Sequence, residues 1–443
     1  MDAMTYRGRC PECGRNFGDT TAAAFRCCDR PVEMMPAAVA TSDPRRQLIA
    51  RHCGPNCEHW GRRDGRSGCL LLDRPCDVVT IQIRDACPAG KFPAVRSGFR
   101  RGGVGFVAVS YLECGGTEVW HQTLLPRLGD RVSGFVCVNP DHARGDFARL
   151  GCPWGVGVED ARRLARACDV LVVWGIGRQL GNIVDGLRFP PRVISVSHCD
   201  PRSEWTCDMM RGQNPWTDRA VFICPSGRDT VPAGQARRDA VLIHNAPDPE
   251  RVRATTPRDE TRRRLGIGES DRVVLVTSRI SPEKRIDILA RAMQHLPPDV
   301  VLLISGTAST WSQRYADDVR AINPERVRVI DAVATPGDLL AAADVAASAS
   351  TFEGYGLAMA EAILAGVPLI ATPCGLLESM PTVARVVPHD ATAIEWADAI
   401  AADLADPAGA RHRAALARHA VATRHSVERF TAAWSELISE TTV

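Results

Sequence analysis

Lysine is nearly missing from this chain. Of 54 basic residues only Lys91 and Lys284 are lysine; the rest are arginine. Genome composition explains a general arginine excess, but it does not choose where the two lysines remain. Both lie in motif-like stretches, and lysine differs from arginine in offering phosphate a compact point charge. Net charge is also small: 54 basic against 52 acidic residues leave +2, which supplies no overall pull toward nucleic acid or a membrane surface. No run of 18 apolar residues occurs, so no membrane span is expected. No apolar signal region follows a basic start, so secretion is not expected and a cytoplasmic location is. There is no low-complexity tract and no internal repeat beyond two αβ halves. With 443 residues and 45% hydrophobic content, the chain can build two or three domains with ample cores.

Cysteine is plentiful but uneven. Nine of 17 cysteines precede position 88, and the other eight are scattered as small core residues would be. In a cytosolic chain such clustering points to metal rather than disulfides. Cys10-Pro-Glu-Cys13-Gly has the shape of a zinc knuckle, followed by Cys27 and Cys28, then Cys53, Cys57, Cys69 and Cys76. Zinc takes four thiolate or imidazole ligands in a tetrahedron, and these eight cysteines suffice for two sites. Residues 1–95 have few apolar side chains, so a structural zinc would supply stability that their core cannot. An iron–sulfur cluster and free thiols are the alternatives. The ending Asp85-Ala-Cys-Pro-Ala-Gly-Lys-Phe-Pro93 is similar to the close of Cys-rich modules in some phage proteins, which implies docking or acceptor recognition rather than chemistry.

The rest of the chain is organised around Ser350-Thr-Phe-Glu-Gly-Tyr-Gly-Leu-Ala-Met-Ala-Glu-Ala-Ile-Leu-Ala-Gly-Val-Pro368. Glu353 and Glu361 are separated by seven residues. Gly354-Tyr355-Gly356 breaks the chain, and the Ala-rich run from Leu357 to Ala365 predicts a helix, ended by Gly366 and Pro368. Glu353 then lies before a glycine-opened helix N-terminus, where free N–H groups and the helix dipole favour phosphate. Glu361, on the helix, can accept hydrogen bonds from two adjacent sugar hydroxyls. A ligand with a diphosphate and a ribose would fit both. A capped surface helix with two solvated acids is the plainer alternative.

This stretch resembles the Glu-x7-Glu signature of retaining glycosyltransferases of the family 4 type. The resemblance runs from about Gly103 to the C-terminus and is strongest over Val273–Glu378. It implies an α/β GT-B fold: two Rossmann-like domains facing a cleft, here with the Cys-rich module added. The expected division is 1–95 for that module, 96–248 for an acceptor-side domain, 249–425 for a donor domain and 426–443 for a helix crossing back. In the family the first glutamate faces the donor sugar and the second holds the nucleotide ribose. That assigns Glu353, with Gly354, Tyr355, Gly356 and Leu357, to sugar and phosphates, and Glu361 to ribose.

Other stretches carry the resemblance further. Arg96–Gly103 reads as a basic linker. Val104–Leu112 is a buried strand, and Gly115-Gly116-Thr-Glu118 is similar to the family's glycine turn beside the donor. His198 ends the strand Arg192–Ser197, where open α/β sheets place ligands; a histidine at a similar family position reaches the donor sugar. Val241–Pro247 resembles the family's hinge stretch, with Ala246 in place of glycine. Ser278-Arg279-Ile-Ser-Pro-Glu-Lys284-Arg285 resembles the diphosphate loop Gly-Arg-Leu-x3-Lys-Gly. There Arg279 and Lys284 would grip the leaving phosphate, with Ser278 and Arg285 replacing glycines. Gly306 turns the chain toward the cleft after strand Val300–Ser305.

The function these residues imply is transfer of a sugar, with retention, from a UDP- or GDP-type nucleotide-diphosphate sugar. Glu353 and His198 are the candidate catalytic residues. No catalytic divalent metal is implied. The acceptor is left open between a modified DNA base and a protein. The alternative is a non-catalytic nucleotide-sugar-binding or regulatory module on the same scaffold.

Overall fold

In a computed structural model the chain divides into two compact units, Met1–Gly98 and Phe99–Val443. The structure describes residues 98–112, 115–198, 204–229 and 240–442, together with the backbone of short strands between Tyr6 and Cys69. In the first unit these strands pair antiparallel. Tyr6–Arg9 lies between Asn16–Thr20 and Met35–Pro36, Ala24–Cys27 pairs with Arg30–Glu33, and Trp60–Arg63 pairs with Arg66–Cys69. The backbones of Cys27 and Cys69 close two of these strands. The other six expected ligands, Cys10, Cys13, Cys28, Cys53, Cys57 and Cys76, lie outside the described residues, as do the side chains of all eight.

The second unit holds two parallel sheets. Seven strands form the first, in the order Trp154–Val156, Val132–Cys137, Val104–Ala108, Val170–Trp174, Arg192–Ser197, Arg219–Phe222 and Val241–Leu242. Six form the second, in the order Val327–Ile330, Val300–Ser305, Arg272–Thr277, Val345–Ser348, Leu369–Ala371 and Arg385–Val386. The central strands are continuous β-branched and aliphatic runs, such as Val170-Leu-Val-Val and Val300-Val-Leu-Leu-Ile, as strands covered on both faces require. Helices pack on both faces, and the second core closes around the fully buried Trp396.

In each sheet the chain reverses direction beside the first strand: Val104–Ala108 sits between Val132–Cys137 and Val170–Trp174, and Arg272–Thr277 between Val300–Ser305 and Val345–Ser348. Such switch points open a crevice at the strands' C-terminal ends. The last helix, Val427–Thr442, packs on the first domain. Trp434 meets Trp120 edge-on at 5.2 Å, and Arg131 donates to the Ser439 hydroxyl at 3.0 Å.

Arg100, in the stretch read as a basic linker, is held against the first sheet of this unit. Its backbone N–H donates to the Ser133 carbonyl at 2.9 Å, its guanidinium pairs with Asp130 at 3.1 Å, and Phe99 lies over Gly134. The aromatic ring and the strand it covers draw these residues into the fold.

Candidate active site

The helix Leu357–Ala365 begins and ends where the sequence predicts. Gly356 precedes it at φ 78° and Gly366 follows it at φ 81°, both left-handed. That conformation is cheap only for glycine, so the two residues fix the helix between them. Glu353 lies just ahead, in the turn after Ser350.

Glu353 and Lys284 meet. Lys284 Nζ donates to Glu353 Oε1 at 2.7 Å, and the Ser350 hydroxyl donates to the same oxygen at 2.7 Å. Both charged side chains are mostly covered, 13% and 17% exposed. Together with Ser278, Ser350, Ala358 and Met359 they line one small pocket. The loop that brings Lys284 is tied to Glu353's turn by its own backbone: Thr351 N–H donates to the Glu283 carbonyl at 2.9 Å.

Arg279 stands apart from this pair. Its side chain is 57% exposed and reaches Glu283 at 3.2 Å. Gly306 lies directly against the Ser278 carbonyl, so the end of the Val300–Ser305 strand and the start of the Arg279 loop are in contact. Arg285 holds φ 48°, ψ 39° and is the single non-glycine residue in the left-handed region among the described residues. A left-handed backbone at a residue with a side chain costs on the order of 1 kcal/mol.

The first domain reaches this turn through three residues. Gly354 rests on the His198 main chain: a Cβ there would come within 2.4 Å of the His198 carbonyl and 2.9 Å of Ile223. Only a residue without a side chain permits that approach. Gly116 faces Leu357 at van der Waals distance, and the Glu118 carboxylate fills the space a Cβ at Gly115 would need. The Glu118 carboxylate accepts from Leu112 N–H and the Thr117 hydroxyl, both at 2.9 Å, so the glutamate of the Gly-Gly-Thr-Glu turn is a loop clamp. The Ser226 N–H and hydroxyl also donate across the cleft to Glu378, at 2.9 and 2.7 Å.

His198 sits where its strand predicts, with its ring edge-on to Trp120 at 5.0 Å and Trp174 at 6.0 Å. Its Nε2 has no hydrogen-bond partner among the described residues. Burial pushes its pKa down to about 3, with a small contribution from His121. His198 is therefore neutral near pH 7 and can serve as a hydrogen-bond partner but not as a cation.

Tyr355 is placed differently from expectation. Its ring is buried and stacks on His425, and its hydroxyl lies 2.9 Å from His425 Nδ1. Burial keeps this phenol protonated and lowers His425 to about 4. The phenol and the neutral imidazole share this hydrogen bond, and the tyrosine anchors the glycine turn from behind.

Glu361 is buried and paired with Arg251, whose Nε donates to Oε1 at 2.6 Å. Burial raises the Glu361 pKa, and Arg251 opposes that rise. Sequence reasoning missed Arg251, which follows Asp248-Pro249 at the expected boundary between the two αβ domains. The Asp-Pro start of a short helix was a legible signal, but nothing marked its partner 110 residues away.

Three histidines are neutral in the fold: His121 and His198 near 3 and His425 near 4. In the unfolded chain they titrate at about 6.5. The unfolded state therefore binds more protons between those values, and stability falls as pH drops below about 6.5. Urea unfolding midpoints are expected to be level from pH 7 to 8 and to decline toward pH 5, with uptake of about two to three protons. An unchanged midpoint at pH 5 would refute the burial of these rings.

Comparison with known proteins agrees with this geometry. Residues 271–406 match the sequence model of the family described as Glycosyl transferases group 1. The chain is similar to the D-inositol 3-phosphate glycosyltransferase of Xylanimonas cellulosilytica, 31% identical over 195 residues, 42% of this chain and 46% of that protein. It is also similar to the protein of that name from Mycobacterium avium, 30% identical over 234 residues, 46% and 54%. The matches thus span about half the length of these relatives.

Among solved structures, Anabaena Alr3699/HepE in complex with UDP and glucose superposes with a TM-score of 0.68 at 20% identity, covering 76% of this chain and 100% of that one. WaaG, a glycosyltransferase involved in lipopolysaccharide biosynthesis, gives 0.59 at 15%, covering 76% and 99%. At such identities the likeness is one of fold. The two parallel-sheet domains have the GT-B architecture, and residues 271–406 are similar to the group 1 glycosyl transferases.

Proposed function

We propose that the protein is a retaining glycosyltransferase that takes its sugar from a nucleotide-diphosphate sugar. The observation that carries this reading is the meeting of Lys284 and Glu353 at a glycine turn that rests on His198 of the facing domain. Lys284, with Arg279 on the same loop, holds the diphosphate and stabilises its charge as the glycosidic bond breaks. Glu353 and the Gly354–Leu357 turn receive the sugar, His198 hydrogen-bonds beside the reacting carbon, and Glu361 takes the ribose.

Among the described residues no side chain stands out as a nucleophile for a double displacement. A front-side attack, with the leaving phosphate accepting the acceptor's proton, is the route this arrangement supports. That chemistry needs no divalent metal. The UDP and UDP-glucose complexes of the Anabaena neighbour favour a uridine donor. The acceptor is a hydroxyl-bearing group on a DNA base or a protein, presented with the help of residues 1–95. The cysteines of that segment bind structural zinc; its support is their spacing.

Incubating the purified protein with a panel of nucleotide sugars and following donor hydrolysis by mass spectrometry tests this reading. One donor is expected to be cleaved, and Glu353→Gln is expected to lower that rate more than tenfold in samples whose melting curves show a cooperative fold. A wild type that binds UDP or GDP yet never turns over any donor would make the chain a binding module instead.

A further inference from the structure

A buried carboxylate serves as a hydroxyl acceptor only if something keeps it ionised and aimed. Glu361 is 5% exposed, and Arg251 Nε occupies its Oε1 at 2.6 Å. The same guanidinium donates through Nη1 to the Ala334 carbonyl, so it is held at both ends of its fork. Glu361 Oε2 has no hydrogen-bond partner among the described residues. Arg251 itself sits on the short turn Pro249–Val252, whose entry is fixed by Asp248. One Asp248 oxygen accepts the Glu250 N–H at 3.0 Å. The other accepts Arg127 Nη2 at 3.0 Å, from the first-domain helix Gly116–Leu128. That helix opens at the glycine turn facing Leu357, at the start of Glu361's own helix.

We propose that Arg251 is a positioning residue for the nucleotide. It locks Glu361 with one oxygen occupied and the other presented to the vicinal hydroxyls of a ribose, and Arg127 holds its turn in place through Asp248. The group recognised is the diol of a ribonucleoside diphosphate, so the inference rests on the nucleotide-site reading above. An oxygen with two lone pairs can accept from both hydroxyls. Turning Glu361 away, or protonating it, removes that discrimination without touching the phosphate contacts.

The test is calorimetric titration of the full chain with UDP and 2′-deoxy-UDP, or with the guanosine pair if guanine is the base bound. The wild type is expected to prefer the ribonucleotide by about tenfold or more, the scale of a hydrogen bond to a charged group. In Arg251→Gln the preference is expected to fall to within about twofold, while residual binding through the diphosphate persists. Arg251→Lys keeps the charge without the fork and is expected to retain part of the preference. It carries the test if the glutamine variant does not fold.

Full wild-type preference in either folded variant overturns the proposal. A wild type that binds UDP and 2′-deoxy-UDP equally overturns the ribose assignment, and this proposal with it. A wild type that binds neither UDP nor GDP overturns the nucleotide site itself.

Discussion

Lys284→Ala is expected to lower donor turnover by about 10²–10³-fold, the range seen when one preorganised group facing developing charge is removed. Two effects add. The diphosphate loses a compact cation, and Glu353, only 17% exposed, keeps its negative charge beside it with the Ser350 hydroxyl as its remaining partner. The same loss costs folding stability, on the order of 1–3 kcal/mol, because a mostly covered carboxylate is left without its counter-ion. Lys284→Arg is expected to recover stability better than turnover, since a planar guanidinium restores the ion pair but does not offer the diphosphate the compact point charge of an ammonium. Steady-state donor hydrolysis and denaturant melts on the same samples separate the effects. Turnover within threefold of the wild type in Lys284→Ala would remove this cation from the leaving group.

The second large effect is on stability. Trp434→Ala is expected to cost about 3–5 kcal/mol in denaturant unfolding, as deletion of a fully buried indole does elsewhere. Trp434 has no exposed surface and stacks edge-on against Trp120. Its helix is also the element that joins the end of the chain to the first domain. Trp434→Phe is expected to cost far less, under about 1.5 kcal/mol. The indole Nε1 has no hydrogen-bond partner among the described residues, so the smaller ring loses volume but no bond. Equal costs for the two variants would mean that the indole nitrogen is satisfied.

Much of this was legible in the sequence because local rules and global packing agree there. Arg192–Ser197 and Val300–Ser305 are largely apolar runs between turn residues, and each forms the strand its pattern predicts. The helix Leu357–Ala365 is bounded by glycines that adopt the left-handed conformation, a property of the residue type itself. Less legible was whatever depends on a distant partner. Strand Trp154–Val156 has three residues and no periodicity, and exists because Val132–Cys137 offers it an edge. Tyr355 reads as part of a ligand turn, but its ring is drawn inward by His425, 70 residues on.

The departures from the glycosyltransferase pattern also separate in physical terms. Arg285 pays for replacing a glycine, because its backbone is left-handed. Ala246 pays nothing in backbone strain, since its φ is negative. The first substitution is tolerated at a cost, and the second is simply allowed. Sequence alone gave both the same weight.

The return of the final helix to the first domain also affects how the protein is made. Trp120 and Trp434 are 314 positions apart. At about 5–20 residues per second, a ribosome needs roughly 15–60 seconds to supply the second once the first has emerged. For that interval a large aromatic surface on the first domain has no cover of its own. Until Trp434 is supplied, the apolar face beside Trp120 stays open to other contacts.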